Sequence, residues 1–121
     1  MGTALIVDDT KTELSILSDC LKGAGITVDT ASSGEEALEK IGIKHPDIII
    51  LDVVLPGKSG FEVCREIKQD ATTQNIPIII CSTKGTDMDK FWGKKQGADA
   101  YIPKPVDRDE LIRTVKQLIK A

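Results

Sequence analysis

Two periods of hydrophobic and polar positions alternate along this chain. Short unbroken apolar runs stand at Leu5-Ile6-Val7, Ile48-Ile49-Ile50-Leu51, Ile78-Ile79-Ile80-Cys81 and Tyr101-Ile102. Short apolar runs bounded by turn residues read as strands buried on both faces. A weaker, more polar strand is predicted over Ile26–Thr30. Between the runs, apolar residues recur every three or four positions, the spacing of an amphipathic helix. Leu14, Leu17, Leu21 and Ala24 mark the first helix, with Thr10 and Glu13 spaced as a capping box and Gly25 as its stop. Ser33 and Glu36 repeat that spacing before Ala37, Leu38 and Ile41, and Gly42 closes the second. A loop with Pro56, Gly57 and Gly60 leads to a third helix carrying Phe61, Cys64 and Ile67. The fourth runs from about Asp87 to Gln96 with Met88, Phe91 and Trp92, ending at Gly97. The fifth begins near Asp107 and places Leu111, Val115, Leu118 and Ile119 on one face.

Strands alternating with helices of ten to fifteen residues are βαβ units, which build a parallel sheet. Right-handed crossovers then put helices on both faces. The predicted architecture is a (βα)5 doubly wound α/β sandwich. A length of 121 residues fits one domain, residues 1–121. No repeat, linker or low-complexity stretch divides it, and the fifth helix finishes so near Ala121 that no appended domain is expected.

Composition narrows the function classes. Hydrophobic residues make up 40% and charged residues 29%, as in ordinary globular proteins. The net charge of −3, with no basic block, argues against nucleic-acid binding. No apolar run approaches the ~20 residues of a membrane span. The first residues carry no basic region, so no signal peptide is expected, and Gly2 lacks the hydroxyl residue at position 6 that myristoylation wants. A cytoplasmic protein is expected. Cys20, Cys64 and Cys81 are few, odd in number and widely spaced, which fits buried free thiols better than a metal site. His45, the single histidine, precedes Pro46 in a connection and has no nucleophile beside it.

The candidate chemistry sits where apolar runs end. Asp8 and Asp9 follow the first, Asp52 follows the run Ile48–Leu51, and Lys104 follows Tyr101-Ile102-Pro103. Ligands of doubly wound folds bind at the carboxyl ends of the strands. Three carboxylates gathered there repel one another unless a cation is present, and Mg²⁺ takes such oxygen ligands. Lys104 can pair with a phosphate oxygen and lies between two prolines, with Lys104-Pro105 a candidate cis bond. Ser82 and Thr83 end another run and can donate to a phosphoryl group. Taken singly, each has a plainer use: Asp8 or Asp9 as a helix cap, Lys104 as a surface lysine, Ser82 as a turn hydroxyl. Their joint placement favours a site.

The segments LIVDD, IIILDVVLPGKSG, IPIIICST and GADAYIPKPVD, in that order, resemble the receiver domains of two-component response regulators, the CheY-like family. The resemblance spans essentially the whole chain. It implies a flavodoxin-like five-stranded parallel sheet and a phospho-accepting switch, with self-catalysed phosphotransfer and slow autodephosphorylation the only chemistry. Asp52 would be the phosphorylation site. Asp8, Asp9, Asp52 and the backbone carbonyl of Val54 would hold Mg²⁺. Lys104 would bind the phosphoryl group, Ser82 would be the switch hydroxyl and Tyr101 the aromatic switch. Trp92, Lys95 and Tyr101 are candidates for a partner surface on the fourth helix, fifth strand and fifth helix, although Trp92 is equally explained by partial burial on its helix. The implied partners are a histidine kinase or phosphotransfer protein and an unidentified downstream protein, met by a monomer that acts as an output or a phosphate sink. The segment TDMDKFWGKKQGADAYIPKPVD further resembles stand-alone receivers of pilus-motility and phototaxis systems.

Thr83 departs from the smaller residue common after the switch hydroxyl, and Leu55 replaces a frequent Met. Two other classes fit less well. A haloacid-dehalogenase-type phosphatase needs a second Asp two residues after its nucleophile, where this chain has Val54. A flavodoxin-like cofactor carrier needs a phosphate-cradling first loop, and Asp8-Asp9 would repel a phosphate.

Overall fold

The computed structural model describes residues 2–120. Five strands and five helices alternate: β1 (Thr3–Val7), α1 (Lys11–Gly23), β2 (Thr27–Ala31), α2 (Gly34–Ile43), β3 (Ile48–Leu51), α3 (Gly60–Gln69), β4 (Ile78–Ser82), α4 (Asp87–Lys95), β5 (Ala100–Pro103) and α5 (Arg108–Lys120). The strands form one parallel sheet in the order β2-β1-β3-β4-β5, the doubly wound sandwich expected from the alternation.

The apolar runs are apolar because both sheet faces are covered. Leu5, Val7, Ile49, Leu51, Ile78 and Ile80 face α2 and α3, packing with Ala37, Ile41, Val63 and Ile67. Ala4, Ile6, Ile48, Ile50, Ile79 and Ile102 face α1 and α5, packing with Leu17, Leu21, Leu111 and Val115. Every residue of β3 and β4 is buried. All three cysteines are buried and free, as expected, and burial pushes the Cys64 thiol up to about 11 and the Cys81 thiol up to about 12. His45 is an exposed loop residue.

Several boundaries differ from the sequence pattern. β1 starts at Thr3, where Asp47 accepts from the Thr3 amide and hydroxyl, a polar anchor that an apolar-run criterion overlooks. β2 runs Thr27–Ala31, one residue later than expected, in register with Thr3–Val7. α2 passes through Gly42 and ends after Ile43. The two expected capping boxes are one-sided. Thr10 and Ser33 accept from the amides of Glu13 and Glu36, but Glu36 turns to the Ser32 amide and hydroxyl instead. The reciprocal box is at α4, between Thr86 and Asp89. Lys104-Pro105 is cis.

Candidate phosphoryl and metal site at the carboxyl ends of the strands

Strand register assembles the site. Val7 pairs with Leu51, so the next residues, Asp8 and Asp52, emerge side by side at the point where the sheet order reverses, the usual ligand crevice of such folds. Leu51 pairs with Ile80 and Ser82 with Pro103, which brings Ser82 and Lys104 to the same rim. Backbone bonds hold these ends in line: the Asp8 amide donates to Ala31, that of Asp52 to Val7, and that of Lys104 to Ser82.

One ammonium joins the carboxylates. Lys104 Nζ lies 2.6 Å from Asp8 Oδ2, 3.4 Å from Asp52 Oδ2 and 3.9 Å from Glu13 Oε2. Its side chain is only 8% exposed. Burial alone would lower its pKa, but the hydrogen bond it donates to Asp8 and the fields of Asp52, Asp8 and Glu13 outweigh it and hold the ammonium above its ordinary value. The remaining carboxylate oxygens are also aligned. Asp8 Oδ1 accepts from the Thr10 amide and hydroxyl at 3.1 and 3.2 Å. Asp52 Oδ1 accepts from the amides of Val53 and Val54 at 2.7 and 3.4 Å.

Asp9 is exposed, yet one of its oxygens lies within 4.8 Å of an oxygen of both Asp8 and Asp52. Three carboxylates gathered beside one lysine ammonium form a donor set that fits a divalent cation such as Mg²⁺, which prefers oxygen ligands and keeps several waters.

The loop after β3 is drawn against the strand by a glycine. The Gly60 amide donates to Val53 at 2.8 Å, and a Cβ at Gly60 would fall on the Asp52 carbonyl oxygen. Gly60 is therefore required by close approach at the very residue that bears the central carboxylate. The pattern of the chain marked Gly60 only as a loop glycine. Val54 follows in that loop, exposed.

Ser82 is fully buried and its Oγ accepts from the Lys84 amide at 3.2 Å. Thr83 beside it is exposed. Tyr101 is half-buried and its hydroxyl donates to the Lys84 carbonyl. Burial is the main reason that hydroxyl is pushed up to about 12. Thus Ser82 and Tyr101 both hold the β4–α4 connection, one by its amide and the other by its carbonyl, at a single residue. Further out, Trp92 is 50% exposed beside Phe91 and Met88, with Phe91 edge-on to Trp92 and the Lys95 ammonium 5.4 Å from the Phe91 ring.

Such an assembly defines a phospho-accepting receiver. Residues 4–116 match the response regulator receiver domain family, and the chain belongs to that family. Receiver domains accept a phosphoryl group, bind Mg²⁺ at an acidic pocket and switch partner contacts. Pseudomonas aeruginosa protein PilH is 40% identical over 119 residues, covering 98% of both chains. A response regulator structure from Chloroflexus aurantiacus superposes with a TM-score of 0.96 at 39% identity, covering 99% of this chain and 98% of that one. The Vibrio cholerae chemotaxis protein CheY4 gives 0.90 at 32%, covering 98% of each. Among the described residues, no helix is long and apolar enough to cross a membrane.

Proposed function

We propose that this chain is a stand-alone response regulator that takes a phosphoryl group from a phosphohistidine onto Asp52 and reports it through α4, β5 and α5. The observation that carries this reading is the convergence of Asp8, Asp9 and Asp52, with Lys104 against two of them, at the reversal of sheet order. The stand-alone role of residues 1–121 is supported by PilH, whose own length is spanned to 98%. Together with the resemblance stated at the outset, it suggests a chemosensory system serving pilus motility.

In this mechanism Asp52 Oδ2 attacks phosphorus. Its partner oxygen is held by the Val53 and Val54 amides, which leaves Oδ2 as the one facing Lys104. The new bond is P–O; the bond that breaks is P–N, and the donor imidazole leaves with the electron pair. Asp8, Asp9, Asp52 and the Val54 carbonyl are assigned to hold Mg²⁺, which when bound neutralises charge on the transferring group. Lys104 leaves Asp8 for a phosphoryl oxygen. Ser82 releases the Lys84 amide to donate to another, and Tyr101, tethered to Lys84, follows the movement of that connection. A phosphoryl group of about −2 charge biases an equilibrium between two arrangements of this loop. The surface so altered carries Trp92, Lys95 and Tyr101, and it meets a downstream protein. A histidine kinase or phosphotransfer protein supplies the donor. Apart from self-catalysed transfer and slow autodephosphorylation, the chain turns nothing over, and we place it in the cytoplasm as a monomer.

The test is direct. With Mg²⁺ and acetyl phosphate, the intact mass should rise by one phosphoryl group in the wild type and not in Asp52→Asn. An adduct of equal yield in Asp52→Asn would move the acceptor elsewhere and end the assignment.

A further inference from the structure

The helix α4 is built inside out. Gly93 is its one buried residue, while Met88, Phe91 and Trp92 are 64%, 53% and 50% exposed. A surface helix ordinarily turns its apolar stripe to the core. The reason for the inversion lies at Gly93. A Cβ there would stand 2.8 Å from Tyr101 Cδ2, 3.1 Å from Tyr101 Cε2 and 3.3 Å from Ile80 Cδ1. The space beneath α4 is therefore filled by the Tyr101 ring, inserted from β5. Gly93 is not a residue of positive φ, unlike Gly25, Gly57 and Gly97. Backbone conformation does not call for glycine here, and glycine is a poorer helix former than alanine in mid-helix. Close approach of the ring is what remains to explain it.

We infer that Gly93 is a positioning residue for Tyr101: the missing side chain is the seat in which the ring rests, and it sets the balance between seated and displaced rings. The inference rests on reading Tyr101 as the switch aromatic. Ile80 is wholly buried in the middle of β4 and has little room to yield. A methyl at position 93 must therefore displace the ring or lift α4. Either breaks the geometry in which Tyr101 reaches the Lys84 carbonyl, the residue whose amide Ser82 holds. Phosphoryl binding draws on Ser82, so ring seating and phosphoryl binding are linked through Lys84. Because phosphoryl binding draws Ser82 off the Lys84 amide, a change in ring seating is felt as a change in affinity for the phosphoryl analogue, limited by the coupling between the two.

The full chain contains one tyrosine and one tryptophan, so both are clean reporters. Fluorotyrosine incorporated at Tyr101 is followed by ¹⁹F NMR, and beryllofluoride with Mg²⁺ is titrated against Trp92 fluorescence. Gly93→Ala should shift the ¹⁹F resonance before any ligand is added and change the apparent Kd for beryllofluoride about fivefold or more, within the usual range of allosteric couplings. In a Tyr101→Ala background, where the methyl meets no ring, Gly93→Ala should leave the Kd unchanged. A wild-type resonance and Kd in Gly93→Ala overturns the inference, as does an equal change in Kd with and without the ring. A wild type that shows no response dependent on Asp52 removes the phosphoryl reading and this inference together; a responsive wild type with an unaffected Gly93→Ala removes only the inference. Alanine favours helix over glycine, so loss of the fold is not the expected source of a shift.

Discussion

The two ends of one sheet use the same residue types to opposite purposes. At the amino ends of the strands, Lys68 Nζ donates to the carbonyls of Gln74 and Ile76 at 3.3 and 2.7 Å and to Asp99 Oδ2 at 2.9 Å. That Asp99 oxygen also accepts from the Ile78 amide at 2.8 Å. One ammonium faces one carboxylate, and the remaining hydrogens go to backbone carbonyls. At the carboxyl ends, Lys104 faces Asp8, Asp52 and Glu13, with Asp9 in the same cluster. The first group is matched and closes the base of β4 and β5. The second is one cation against an excess of anions, an imbalance that a fold would not keep for stability alone. What separates a structural from a functional Lys–Asp pair is thus the charge count around it, not the pair.

The largest effect expected from breaking this contrast is at Lys104. Replacing it by Met leaves Asp8 and Asp52 buried without their cation, and removing one partner of a buried pair costs about 3 kcal/mol or more. Urea unfolding without divalent ions should show that loss, and Mg²⁺ should restore part of it by supplying a second cation. Phosphoryl yield from acetyl phosphate should fall as well. If Mg²⁺ gives no recovery, the acidic cluster does not bind it in the assigned way.

Lys68→Met should cost less, about 2 kcal/mol, from a lost charged hydrogen bond and two carbonyls left without their donor. No part of that loss should respond to Mg²⁺, and phosphoryl yield should hold. A Mg²⁺-dependent rescue of Lys68→Met would erase the distinction between the two ends.

The carboxyl end was the more legible of the two in the sequence. Asp8, Asp9, Asp52, Ser82 and Lys104 all follow apolar runs directly, so the register that buries those runs brings them to one rim. The amino-end group has no such signal. Lys68 lies on a helix face and Asp99 precedes a short strand, and only the packing of α3 across the sheet joins them. Gly60 and Gly93 were hidden for a related reason. A glycine demanded by close approach looks, in one sequence, like a glycine in a turn. The outward stripe of α4 was misleading in the other direction: Met88, Phe91 and Trp92 have the spacing of a core face, and Tyr101 takes the place they would have filled.

The smallest expected effect uses a buried thiol near each end as a gauge. Burial raises Cys64 to about 11 and Cys81 to about 12 from an ordinary 9.0. In the unfolded chain both ionise near pH 9, whereas the folded chain keeps the protons. The unfolded state then binds fewer protons, so stability falls as pH rises from about 9 through 11 or 12. At pH 10 each thiol should account for about 1 kcal/mol of loss relative to pH 8. Tyr101 and Lys104 are shifted in the same direction but from higher ordinary values, so they dominate only above that range. The measurement is the change in urea midpoint between pH 8 and pH 10 for Cys64→Ala and Cys81→Ala. The comparison is of slopes, since either substitution lowers stability at both pH values by leaving a small void. Each variant should lose a similar part of the wild-type alkaline decline, about 1 kcal/mol, with the Cys20 thiol, also raised by burial, contributing to the remainder. Cys81 is surrounded by Lys104, Asp52 and Asp8, and Cys64 by Lys68 and Asp99. Near-equal contributions would mean that burial outweighs the different charge balance at the two ends. A Cys81→Ala slope equal to wild type would instead mean that water reaches β4 from the acidic crevice and that the rim is more open than its packing implies.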